Sequence, residues 1–259
     1  PLYYDLYNDH SKFVTGLAND TLEEFPFHKF KNMNLRLADP MNFHQYVILL
    51  HSECNSAELK KYEASNKYIG CFYWSHAFIA RDWYRFAEHD PSLNPCSNLE
   101  KMFLVYCRDT AGLRNYRKKF LQDCKNLEVY DQCQFDSFVT DIATGDSSAV
   151  YISDDFNKTM ISVILETVFD DRIHLTEKTL RAIACGHPFI IANGPETLKF
   201  IRSYGFKTFD PIIDESYDLQ KDPQKRLTMI INEMQRLQNL PREEIKKIKN
   251  DLLKIARYN

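Results

Sequence analysis

Three charged residues stand where a chain can handle an anion. Glu166 closes an apolar run, and Glu177 and Lys178 follow Thr176 at the start of an amphipathic one. A helix start attracts phosphate through unpaired N–H groups and the macrodipole, and Lys178 would add a full positive charge. A lysine in the first turn works against its own helix, and a locally unfavourable residue at a ligand edge points to function. Charged first turns also occur on plain solvated helices, so spacing alone leaves both accounts open.

The elements that must position these groups are legible around them. Residues 161–165 are β-rich and apolar, the pattern of a strand buried on both faces. A polar loop with Asp170, Asp171 and Arg172 follows. Thr176 is placed to cap a helix beginning at Glu177, with Leu180, Ile183 and Ala184 as its apolar stripe. Gly186 reads as a left-handed cap, Pro188 cannot continue the helix, and 187–192 is the next strand. Strand, helix, strand predicts a parallel pair, whose ligand edge is the carboxyl end.

Other strand tips carry further candidates. The run 46–50 leads into His51 and Glu53, 57–67 reads as a helix or turn, and 68–74 as a strand leading to His76. Arg81, Trp83 and Arg85 alternate as in a strand. They would line an acceptor groove or simply form an amphipathic segment. The run 101–107 ends at Arg108, with Arg114 and Arg117 near the start of a helix over 115–125 and a short strand over 127–130. Arginine forks suit phosphate oxygens. No G-x-G-x-x-G follows that strand, which disfavours a dehydrogenase-type dinucleotide fold. A helix over 195–204 capped by Gly205 and a strand over 206–209 come next. Two amphipathic helices then run from 223 to 257, split at Leu240-Pro241.

Composition sets bounds. The 259 residues suffice for one large or two small domains, and a 44% hydrophobic content supports real cores. A net charge of −3 gives no field that would draw in nucleic acid. Seven cysteines without a C-x-x-C pair argue against a zinc site or a disulfide framework and for buried thiols in a reducing compartment. No secretory leader and no apolar run of about 18 residues is present, so no membrane span is expected and the cytoplasm (of a host cell, if viral) is the expected location.

The run 164–194, with Glu166, Thr176-Glu177-Lys178, Cys185-Gly186 and Pro188, resembles the donor-binding motif of the α1,3-fucosyltransferase family. It departs from that pattern at Thr167, where Asn is usual, and at Leu175. The continuation from Leu198 to Asp218 is more similar to bacteriophage and marine microbial relatives of the family. The resemblance covers about two thirds of the chain, and only 161–194 carries it strongly.

The resemblance implies an α/β protein with two facing Rossmann-like domains of the GT-B type and a C-terminal helical segment. Residues 1–95 would form the acceptor-side domain, 99–220 the nucleotide-sugar domain, and 221–259 helices packing back. The implied activity is inverting transfer of a sugar from a nucleotide-diphosphate donor to an acceptor hydroxyl, on a glycan or a hydroxymethylated DNA base. Glu53 would be the general base, although Cys54 interrupts the family's Glu-Asn pair and a helix cap or ion pair is equally open to it. Arg108, Arg114, Lys158, Glu166, Thr176, Glu177 and Lys178 would bind the donor, Glu166 and Glu177 through its sugar or ribose hydroxyls. His51, His76, Arg81 and Trp83 would face the acceptor. No cofactor is required, and a divalent metal is optional. The alternatives are a non-catalytic sugar- or nucleotide-binding module and a structural phage protein.

Overall fold

The computed structural model describes residues 2–5, 47–51, 64, 68–72, 80–81, 83–135 and 150–259. Its contacts divide the chain into two units, Pro1–Ser75 and His76–Asn259. The first holds a parallel sheet of β1 (Leu2–Asp5), β2 (Val47–His51) and β3 (Tyr68–Phe72), in that order. Val47 lies opposite Leu2 on one side and Tyr68 on the other. The segment expected to be helical at 57–67 lies outside the described residues except for position 64.

The second unit is built on a four-stranded parallel sheet. Its strands are β4 (Lys101–Val105), β5 (Cys133–Phe135), β6 (Thr159–Leu165) and β7 (Phe189–Ala192), ordered β5-β4-β6-β7. Every residue of β6 and β7 is buried, which is what an unbroken apolar run needs when both faces of the sheet are covered. Helices α1 (Tyr116–Asn126), α2 (Ser153–Lys158), α3 (Glu177–Ala184), α4 (Thr197–Ser203), α5 (Pro223–Gln238) and α6 (Arg242–Tyr258) complete it. Leu104 packs with Phe156 of α2 and Cys185 after α3, and α1 packs on α5. This is a mixed α/β, Rossmann-like arrangement. The chain leaves β4 toward β5 and then returns to the other side of β4 as β6. The carboxyl ends of β4 and β6 therefore flank a topological switch point, where such sheets bind ligands.

Local signals explain the helix ends. Thr176 caps α3 through its side chain. Gly186, at φ 59°, closes it, with the His187 N–H reaching Ala182 O and the Gly186 N–H reaching Ile183 O. Asp222 caps α5 ahead of Pro223, and Leu227, Ile230, Ile231, Met234 and Leu237 form its buried face. Gly194, after β7, lies so close to Arg172 that a Cβ there would stand 2.0 Å from the Arg172 carbonyl oxygen.

The structure departs from the sequence expectations in three places. The short strand is Cys133–Phe135 rather than 127–130, because Glu128 takes a left-handed φ of 58° and Tyr130–Gln132 form a 3-10 turn. Residues 206–209 form no strand. The Lys207 backbone bonds to the Asn259 side chain (2.8 and 3.0 Å), and the Phe209 N–H donates to Glu215 (2.5 Å). The segment 83–96 packs on the second unit, although a boundary near residue 95 was expected. Tyr84 meets Tyr151 edge-on at 6.4 Å, and the Cys96 N–H bonds to Phe156 O at 3.0 Å.

One buried histidine joins the start of β7 to β6. Nε2 of His187 lies 2.9 Å from Thr159 O, and Nδ1 lies 2.8 Å from Ser162 Oγ. A carbonyl only accepts, so Nε2 carries the proton, and Nδ1 accepts from the serine hydroxyl. Burial pushes this imidazole down to about 4. The unfolded chain takes up that proton below about 6.5 and the folded one does not until about 4, so the contribution is complete above the first value and is lost as pH falls toward the second. Asp218, raised by burial to about 6, runs the opposite way, so the comparison must be between two proteins at each pH. The stability advantage of the native chain over His187→Gln should shrink by about 3 kcal/mol between roughly pH 7 and pH 4 in urea titrations. A constant difference would contradict a neutral buried imidazole.

Candidate functional site

The connection from β6 to α3 shapes the carboxyl edge, and buried charges hold it. Glu166 is 0% exposed. Its Oε1 accepts from the Thr176 N–H (2.9 Å) and the Thr179 hydroxyl (2.7 Å), and its Oε2 accepts from the Thr176 hydroxyl (2.6 Å). The Lys178 ammonium stands 3.8 Å away. This overturns the expectation that Glu166 touches sugar or ribose hydroxyls. A carboxylate with its lone pairs engaged under the helix cap already fills the anion position at the start of α3.

Two arginines fix the same connection from outside. Arg117, 3% exposed, donates to the carbonyls of Asp109 (2.7 Å), Leu165 (2.5 Å) and Glu166 (3.2 Å). The Tyr116 hydroxyl also donates to Glu166 O, at 2.6 Å. Arg226 of α5 donates to Phe169 O (2.8 Å) and Asp170 O (2.7 Å). Phe169 stacks on Tyr116 at 4.4 Å and carries the Arg226 guanidinium at 4.5 Å. Arg117 was read as a diphosphate ligand or a solvated helix residue, and the structure makes it a backbone clamp.

What stays part-exposed at the start of α3 is Glu177 and Lys178. The Lys178 side chain is 22% exposed, and its Nζ donates to Thr176 Oγ1 (2.9 Å) and Glu177 Oε1 (3.1 Å). Arg181 lies three residues on, on the same helix face. Its guanidinium sits 4.3 Å over the ring of Tyr106, the residue after β4. That contact brings the α3 face to the tip of β4, where Arg108 follows. Lys178, Arg181, Tyr106 and Ser162 line a cavity of about 20 Å³. Burial pushes the nearby Tyr84 hydroxyl up to about 12, with the Arg181 charge pulling the other way.

The remaining candidates scatter. Thr176 is buried and acts as the cap. Arg114 is paired with Asp109 at 3.0 Å on the loop after β4. The Ala111 N–H and then the Arg114 charge hold the Asp109 carboxyl below its ordinary value. Lys158 is a correction. It ends α2 just before β6 starts, bonded to Asp154 at 2.7 Å, and so lies at the amino end of the strand. Seven residues at about 3.3 Å each put it roughly 20 Å from the Glu166 edge. Arg81 and Trp83 are helical rather than extended, and both are exposed within the second unit. His51 ends β2 at its carboxyl tip. Glu53 and His76 lie outside the described residues. Sequence reasoning missed Arg181 and Tyr106, although the three-residue step from Lys178 to Arg181 signals a shared face.

No protein-family model matches this chain, and no characterised protein and no solved structure is significantly similar to it.

Replacing Glu166 by Ala strands three hydrogen-bond donors in the interior. The cost should be about 3–5 kcal/mol. In a thermal melt this corresponds to a fall of about 6–15 °C in Tm. A fall of less than about 2 °C would show that the carboxylate does not anchor the connection.

Proposed function

We propose that the chain is an inverting glycosyltransferase that uses a nucleotide-diphosphate sugar. The observation that carries this reading is the cationic face of α3 at the switch point between β4 and β6. Lys178 stands there part-exposed, and Arg108 follows the adjacent strand tip. The reading rests on the chemistry of the site.

In this reading the donor diphosphate lies against Lys178 and Arg108, outside the corner that Glu166 already fills. The acceptor hydroxyl oxygen attacks the anomeric carbon as the bond from that carbon to the diphosphate oxygen breaks. The bonding electrons leave with the diphosphate, and the hydroxyl proton passes to a base, for which Glu53 is the candidate. Cations placed where charge develops on the leaving group lower the barrier most. A divalent metal is optional, because Lys178 and Arg108 supply positive charge. The two units are the two Rossmann-like halves of a GT-B enzyme in this proposal, and the acceptor contacts are His51 of the first unit and His76, Arg81 and Trp83 of the second. The acceptor is a glycan or a hydroxymethylated base, and the setting is the cytoplasm.

A second reading, a sugar-nucleotide-binding module without turnover, is favoured by one observation. The Lys178 ammonium is already engaged by Thr176 and Glu177. Release of free sugar or its transfer to any acceptor separates the two readings.

Titration calorimetry with a panel of nucleotide sugars tests the proposal. Lys178→Ala, with its fold checked by circular dichroism, should weaken the best donor at least about tenfold, a loss of about 1.4 kcal/mol. Equal affinity in the two proteins would remove Lys178 from the donor site and the proposal with it.

A further inference from the structure

Arg181 is a buried cation to which no carboxylate is bonded among the described residues. It is only 7% exposed. Its guanidinium lies over the Tyr106 ring at 4.3 Å, and Nη1 reaches the Val150 carbonyl at a long 3.4 Å. The Tyr84 hydroxyl accepts a hydrogen bond from it and the Cys185 thiol lies nearby, and burial holds both protonated. No carboxylate among the described residues pairs with it, whereas Lys178 has both Glu166 and Glu177. The contrast with the other buried arginines is chemical. Arg117 and Arg226 each spread their charge over three or more backbone carbonyls. Arg181 has one such bond, and that one is long.

A nearly buried charge held only by neutral groups carries no counter-charge, and an arriving anion supplies one. The adjoining cavity of about 20 Å³ has room for one water-sized atom. Its polar lining is Lys178, Arg181, Ser162 and Tyr106, and apolar residues of β4, β6, α2 and α3 form the rest of the wall. One oxygen of a phosphoryl group fits that space, while the rest of the group stays outside. The Tyr106 ring is itself held, since its hydroxyl donates to Asp155 at 2.9 Å, so the guanidinium rests on a fixed support.

We propose that Arg181 is a positioning residue of this site, a second cation that receives one phosphoryl oxygen and so selects a diphosphate over a single phosphate. The inference rests on the donor-binding reading above and extends it to a residue that reading does not use. Lys178 meets the ligand at the solvent side. Arg181 meets it from beneath, one helical turn further along α3.

The test is calorimetry with inorganic pyrophosphate and inorganic phosphate. The native chain should bind pyrophosphate at least about tenfold more tightly than phosphate. Arg181→Gln should lose about tenfold or more for pyrophosphate and little for phosphate, and Arg181→Lys should recover part of the loss. If Arg181→Gln fails to fold, Arg181→Lys takes its place, with an expected loss of about three- to tenfold because the ring-stacked fork is gone. Pyrophosphate affinity unchanged in the variant used overturns this inference alone, since Lys178→Ala tests the donor-binding reading separately. A native chain that prefers phosphate, or binds neither anion, overturns both.

Discussion

The second unit depends on a buried carboxylate meeting its donors. Glu166 leaves the end of a strand buried on both faces and cannot reach water. It is tolerable there only because Thr176 and Thr179 supply three donors, with an ammonium close by. Those bonds fix where α3 begins. The start of α3 in turn fixes Lys178 and Arg181, and Arg181 on Tyr106 ties that helix to the neighbouring strand. A chain of polar contacts thus runs from the sheet interior to the part-exposed cation.

The charges divide the edge into a locked part and an open part. Backbone carbonyls of the connection are taken by Arg117 and Arg226, and the Phe169 ring sits between Tyr116 and Arg226. Both guanidiniums are buried and turned to backbone carbonyls rather than to solvent. On the other side of the same connection, Lys178 is shared among oxygens it can leave, and Arg181 has none that is charged. Electrostatic preorganisation needs both parts, because a cation positions an anion only if its own backbone does not move.

The sequence made the frame of this edge legible and hid its wiring. Thr176, Gly186, Gly205 and the Asp222-Pro223 pair act through local backbone geometry, so their roles follow from a few neighbouring residues. The unbroken apolar runs of β4 and β6 gave parallel buried strands for the same reason. The role of Glu166 did not follow, because its partners are ten and thirteen residues away, and a carboxylate at a strand tip looks the same whether it faces solvent or the interior. Lys158 was misplaced because six residues of α2 fold back before β6 and carry it to the opposite edge. The 206–209 run has strand composition, yet its backbone partners are side chains of Glu215 and Asn259, which no local pattern announces.

The Arg226 clamp has a consequence for how the edge comes into being. Its guanidinium belongs to a helix that starts more than fifty positions after the Phe169 and Asp170 carbonyls it grips. During vectorial synthesis the sheet strands, Glu166 and α3 all leave the ribosome before that grip exists. The nascent edge can therefore close its cap early, while the outer side of the connection acquires its final shape only when α5 docks. The final shape of the edge is in this sense a late property of the chain, conferred by a segment distant in sequence.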